Sequence, residues 1–410
     1  MKKFFILFLI TGHPYCSVQT YNMQNEINHA YNFIKNHDYK NAYYLYKNII
    51  IHYPHNINLL CNAGFVAKRA GHWNDAQKYY EQVLKLEENN AQAHRALSHI
   101  YLAQGNFERG WTSYEYRWIN PPHYNRDFEN FIKKNNNLKD KKILLKGEYG
   151  LGDTLQFIRY AYVLKQRDAY VIVECQKPLV KLLQLCPYID KVIQTGNKLP
   201  KTDLQALIMS MPLIFNTVLE TIPIYIPYLY ADNQLVELWH EKIKYDTNFK
   251  IGICWQTDMH KNSSNAQAHK DSLAKSIPLS LLAELSQLNN VTLYSLQKIN
   301  GIEQLEVLPQ HLPVISFDNF DESHGPFMDT AALIKNLDLV ITVDTSIAHL
   351  AGGLGTPTWI LLPHQADWRW LLNRYDSPWY PTMRLFRQPE AGDWYTVMNS
   401  VKQAIISLFN

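Results

Sequence analysis

A chain of 410 residues, 47% hydrophobic and 19% charged, is long enough for two or three domains with buried cores. A formal net charge of only +3 and no Lys/Arg-rich run exclude nucleic acid as an expected partner. Five cysteines, odd in number and never in a C-x-x-C arrangement, argue against a disulfide framework or a zinc site and fit a reducing cytoplasm.

At the start, Lys2-Lys3 followed by the apolar run Phe4 to Ile10 resembles the charged and apolar regions of a signal peptide. The run is short and no small-x-small cleavage site follows it. A mis-chosen start codon or a short interfacial segment would read the same way, so residues 1–22 are set apart as an N-terminal segment. Nothing reaches the roughly 18 apolar residues of a membrane span. The expected location is cytoplasmic, with at most peripheral membrane contact, and secretion is kept as the less favoured alternative.

From Met23 the chain repeats with a period of 34. Aligning His37, Gly71 and Gly105 also aligns Tyr39, Trp73 and Phe107; Ala42, Ala76 and Gly110; and Tyr46, Tyr80 and Tyr114. Small residues at a helix crossing, with an aromatic three before and four after, resemble the tetratricopeptide repeat. Residues 23–118 hold three such repeats, about the minimum for a stable stack. They either bind a protein partner or brace a neighbouring domain.

Asn120-Pro121-Pro122 stops the helices, and residues 119–138 read as a linker. Strands are then expected at Lys142 to Lys146, Tyr170 to Glu174 and Lys191 to Gln194, with helices between them. After a polar interval from Ala231 to Asn248, a second series brings strands at Lys250 to Trp255, Val291 to Gln297, Leu339 to Val343 and Thr358 to Leu362. Alternating strands and helices imply parallel sheets with crossover helices. The fold class is therefore α plus α/β: helical repeats, then two facing Rossmann-like domains at residues 139–238 and 239–410. The amphipathic tail from Tyr395 to Phe409 is expected to pack back on the first of them.

Three stretches carry chemistry. The first is a glycine-rich turn at Gly147, Gly150 and Gly152. Asp153 stands where a phosphate-binding P-loop needs lysine, and Leu155 stands where the last glycine of G-x-G-x-x-G would fall. The turn instead delivers Asp153 to the start of a helix, as an N-cap or as a general base. The second is the polar interval between Trp255 and Pro278, containing His260, His269 and Lys275. Lys275 is a candidate to neutralise a diphosphate, or a solvated charge on a loop. The third is D-T-S-I-A-H, where Asp344, Thr345 and Ser346 end a strand and open a helix carrying His349. A helix amino end behind a strand favours an anion, although the same residues would also cap a helix with nothing bound.

G-L-G-D at Gly150 to Asp153, K-S-I-P at Lys275 to Pro278, and D-T-S-I-A-H followed by A-G-G-L-G-T-P are similar, in that order, to the heptosyltransferase-like glycosyltransferases of family nine. G-N-F-E-R-G-W-T-S-Y-E-Y-R-W and D-W-R-W-L-L-N-R-Y-D-S-P-W-Y-P-T-M-R-L-F-R-Q resemble bacterial proteins that fuse tetratricopeptide repeats to such a domain. The resemblance implies a GT-B fold and an inverting transfer from a nucleotide-sugar to a hydroxyl of a glycan, lipopolysaccharide or protein, with no metal and no cofactor. It implies Asp153 as general base, Lys275 on the donor phosphates, and Asp344, Thr345, Ser346 and His349 in the donor segment. Ser346 stands where the family more often has glycine, which leaves open how closely the backbone there approaches a phosphate. The rival class is a catalytically inactive scaffold whose repeats recruit a protein. The absence of any D-x-D weighs against a transferase that holds its nucleotide through a metal.

Overall fold

The computed structural model describes residues 17–118, 123–134, 137–148, 150–257 and 266–409. The signal-like start, Asn120-Pro121-Pro122 and His260 lie outside them. The described chain divides into two compact units, the first holding the residues up to 118 and Asp367–Leu372, the second holding the remainder.

In the first unit, helices α1 (Ser17–Lys35) to α6 pair antiparallel: α2 (Tyr39–His52), α3 (Ile57–Arg69), α4 (Trp73–Leu86), α5 (Ala91–Ala103) and α6 (Phe107–Tyr114). The 34-residue period has a backbone cause. Gly71 and Gly105 turn the chain at φ +83° and +81°, and His37 takes the same left-handed place at +60°. Asp38, Asn56, Asn90 and Asn106 each accept an N–H of the helix they open. Ala42 and Ala76 are wholly buried, and a Cβ on Gly110 would lie 2.6 Å from Leu102 Cδ2. An open repeat stack exposes its last apolar face and needs a cap. Here Asp367–Leu372 supplies contacts to the third pair: the Leu372 N–H donates to the Ala103 carbonyl at 2.9 Å, and Trp368 meets Trp111 edge to face at 5.4 Å.

The second unit opens with α7 (His123–Lys134), a helix inside the stretch expected to be a linker. Phe128, Phe131 and Ile132 recur at helical spacing, and Phe128 is fully buried. Then come β1 (Lys142–Lys146), α8 (Leu151–Phe157), α9 (Arg159–Lys165), β2 (Tyr170–Cys175), α10 (Val180–Gln184), β3 (Lys191–Gln194), β4 (Leu204–Leu207) and α11 (Met211–Ile214). The strands form a parallel sheet in the order β3-β2-β1-β4. The interval read as polar is α12 (Asn233–Ile243), which buries Leu235, Trp239 and Ile243 on one stripe.

A second parallel sheet follows, built from β5 (Phe249–Cys254), α13 (Ala266–Lys275), α14 (Leu279–Ala283), β6 (Val291–Ser295), α15 (Met328–Ile334), β7 (Leu339–Val343), α16 (Ser346–Leu354), β8 (Thr358–Leu362), β9 (Met383–Arg387) and α17 (Trp394–Phe409). Its order is β6-β5-β7-β8-β9. Every residue of β7 and β8 is buried, which is why both read as unbroken apolar runs. The tail expected to pack on the first domain does otherwise. Trp394, Val397, Met398, Val401 and Ile405 of α17 join a core with Ile251, Leu293 and Ile341, because the face of the second sheet needs an apolar cover and α17 presents a stripe at helical spacing. In each sheet the strand order reverses once, between β1 and β4 and between β5 and β7. Such a reversal opens a crevice at the strands' carboxyl ends, where ligands of open α/β sheets bind.

Candidate active site

The first turn of interest leaves the carboxyl end of β1. Gln176, just past β2, donates to the carbonyls of Glu148 at 2.8 Å and Gly150 at 3.4 Å, and accepts from the Thr154 hydroxyl at 3.0 Å. The Glu148 carboxylate accepts the Met209 N–H beyond β4 at 2.9 Å, tying the turn across the strand-order reversal. Gly150 is the N-cap of α8, so Asp153 is not. It stands at the third helical position, and its carboxylate reaches back to accept the Gly150 N–H at 3.2 Å.

The second turn leaves β7. Thr345 is the N-cap of α16 and its hydroxyl accepts the Ile347 N–H at 3.2 Å; Asp344 lies before the cap and Ser346 is the first helical residue. Asp344 is almost buried and takes the Lys275 Nζ on Oδ2 at 2.7 Å. Lys275 is not on a loop but ends α13, because A-Q-A-H-K-D-S-L-A-K is free of helix breakers. Thr345 Oγ1 also lies 3.3 Å from Thr342 Oγ1 and 3.8 Å from Cys254 Sγ at the end of β5. Burial pushes the Cys254 thiol up to about 11, so this side of the site holds a protonated thiol at neutral pH.

The two turns meet. A Cβ built on Gly152 would lie 2.8 Å from His349 Cδ2, 3.4 Å from His349 Nε2 and 3.8 Å from the Ser346 Cα. The glycine that close approach demands is therefore Gly152, on the opposite turn, which is why a side chain is tolerated at Ser346. His349 is 5% exposed, with Nδ1 2.8 Å from the Tyr380 hydroxyl. The structure thus gathers Gly150, Gly152, Asp153, Ser346 and His349 at one meeting point, and joins Lys275 to Asp344 beside Thr345. His269 lies within α13, six residues before Lys275.

Sequence reasoning missed Arg159, Tyr228 and Tyr380. Arg159 is 1% exposed and donates to the carbonyls of Gln156 (2.8 Å), Pro223 (3.1 Å) and Trp379 (2.7 Å) and to the Tyr228 hydroxyl (3.1 Å). Its guanidinium sits 4.6 and 4.7 Å from the ring centres of Tyr228 and Tyr380. Burial, the largest single influence, works against its charge, while Tyr228, Tyr380 and Tyr160 together favour it, and the net direction is upward. The available signal was an arginine inside the apolar run L-Q-F-I-R-Y-A, where a solvated helix face would not place one.

Residues 67–110 match the tetratricopeptide repeat family. These repeat residues run from the end of α3 into α6. Over 330 residues the chain is 23% identical to the protein FlbA of Caulobacter vibrioides, a match covering 75% of this chain and 53% of that one. The chain thus spans about half the length of this curated relative. Among solved structures it is similar to the ADP-heptose lipopolysaccharide heptosyltransferase II of E. coli, at 14% identity and TM-score 0.45, over 66% of this chain and 100% of that one. A family 9 glycosyl transferase from Veillonella parvula DSM 2008 is similar at 14% identity and TM-score 0.45, over 65% and 90%.

Proposed function

We propose that the second unit is a GT-B glycosyltransferase, moving a sugar from a nucleotide-sugar to a hydroxyl acceptor. The observation that carries this reading is the contact of Gly152 with His349 and Ser346, which draws the turns after β1 and β7 into one site. Asp153, oriented by the Gly150 N–H, takes the proton of the acceptor hydroxyl. The acceptor oxygen bonds to the anomeric carbon as the bond to the nucleotide diphosphate breaks on the opposite face, which inverts the centre. The leaving group gains charge near the amino end of α16 and Lys275, where preorganised donors stabilise it. Lys275 serves while paired with Asp344, so the pair holds its ammonium in place.

A panel of nucleotide-sugars screened by thermal shift tests the donor class. Asp153→Ala is expected to abolish turnover while leaving nucleotide affinity within about threefold, since the base acts on the acceptor. Unchanged turnover removes Asp153 from its role. The second reading, a scaffold without turnover, draws on the fact that the Asp153 carboxylate already accepts the Gly150 N–H and Lys275 already has a carboxylate. It expects no donor-specific shift in the same panel.

A further inference from the structure

The turn that carries Asp153 is held by a side chain from the neighbouring strand. The pairing of β1 with β2 continues one residue past β1: the Gly147 N–H donates to the Glu174 carbonyl at 2.7 Å. A Cβ on Gly147 would lie 3.1 Å from that oxygen, 3.2 Å from Thr154 Oγ1 and 3.4 Å from the Cys175 Cα. So close a passage brings the turn within reach of Gln176, the residue after β2. Its amide straddles Asp153 in the sequence. On the loop side Nε2 donates to the carbonyls of Glu148 at 2.8 Å and Gly150 at 3.4 Å, and on the helix side Oε1 accepts the Thr154 hydroxyl at 3.0 Å. Only this orientation of the amide serves, because turning it over sets its oxygen against two carbonyl oxygens. Thr154 is fully buried, so its hydroxyl needs that acceptor. On the other flank, the Glu148 carboxylate accepts the Met209 N–H beyond β4. A glycine-rich turn has more backbone freedom than any other, and here it is tied to both strands that flank β1.

We propose that Gln176 is a positioning residue for the transfer: by fixing the carbonyls of Glu148 and Gly150 and the hydroxyl of Thr154, it sets where the Asp153 carboxylate stands relative to the acceptor hydroxyl. This rests on the glycosyltransferase reading and on Asp153 as its base. The hold of Gln176 on the turn does not depend on either. Gln176 acts through the turn, and a base displaced by about 1 Å can cost on the order of 100-fold in rate.

The test uses the full-length protein and has two arms. The first is hydrogen exchange read by mass spectrometry. Gln176→Met keeps a side chain of similar size and removes the three hydrogen bonds of the amide. It is expected to speed exchange about fivefold in peptides covering Gly150 to Phe157 and to leave peptides covering β7 unchanged. Unchanged exchange at Gly150 to Phe157, or an equal rise in β7, overturns the proposal. The second arm is kinetic. Gln176→Met is expected to lower kcat about tenfold with donor KM within about threefold, since the base acts on the acceptor. Gln176→Lys, a poorer match in shape that returns N–H donors to the two carbonyls, is expected to recover part of the lost kcat. An unchanged kcat in Gln176→Met, a donor KM that rises as kcat falls, or a Gln176→Lys protein no better than Gln176→Met also overturns it. If the wild type turns over no nucleotide-sugar, the glycosyltransferase reading fails by itself, and the exchange arm alone decides whether Gln176 sets the turn.

Discussion

Replacing Gly152 with alanine places a methyl carbon 2.8 Å from His349 Cδ2, where carbon atoms pack comfortably at about 3.5–4.0 Å. Something must move by roughly 0.7 Å or more. His349 cannot simply swing away, because its ring is buried and its Nδ1 is engaged by Tyr380. Overpacking of this kind costs about 1–3 kcal/mol. Against it, Gly152 lies inside α8, where alanine is favoured over glycine by about 1 kcal/mol. The net expectation is a loss of about 1 kcal/mol, or roughly 2–4 °C in Tm for a unit of this size. The assay is a thermal-unfolding cycle of four proteins: wild type, Gly152→Ala, His349→Ala and the double variant. In the His349→Ala background the methyl has room, so Gly152→Ala should turn neutral or stabilising there, a coupling of about 1–3 kcal/mol. A Gly152→Ala protein as stable as wild type, or one equally penalised with and without His349, would refute the close approach on which the site rests.

Two further outcomes follow from buried charge and buried thiols. Lys275→Met leaves the nearly buried Asp344 carboxylate without its ammonium and should destabilise by about 1–3 kcal/mol, whereas Lys275→Met with Asp344→Asn should recover much of that in thermal melts. No recovery in the double variant would mean the ion pair is not what the lysine contributes. Burial raises Cys61 and Cys254 to about 11 and Cys175 and Cys186 to about 12, so each stays a thiol until the pH climbs toward those values. Ellman's reagent at pH 8 should therefore label these four slowly in the native protein and fast in urea; rapid native labelling of Cys254, mapped by mass spectrometry, would contradict its burial.

Much of the fold is local in origin and was legible in the residues. The 34-residue period reports turns that must pass through a left-handed position at His37, Gly71 and Gly105, and Asp38, Asn56, Asn90 and Asn106 are caps acting within three residues. The unbroken apolar runs of β7 and β8 are what strands buried on both faces require. Placement of Thr345 and His349 behind β7 follows from the same strand-to-helix step. The short strands β4 and β9 were not legible, since four or five residues offer too little pattern to separate a strand from a loop.

Tertiary structure decided the rest, because no local pattern states which distant surface a side chain will meet. Only the packed fold puts Gly152 on His349, pairs Lys275 with Asp344 across 69 residues, and brings Arg159 to the Trp379 carbonyl across 220. The same holds for α17, whose stripe suits any apolar face and goes to the one its own sheet leaves open, and for Asp367–Leu372, which packs on α5 and α6. Short-range steric and hydrogen-bond preferences wrote the elements into the sequence. Which turns oppose one another, and which histidine edge faces which glycine, emerges only when the buried areas of distant segments are satisfied together.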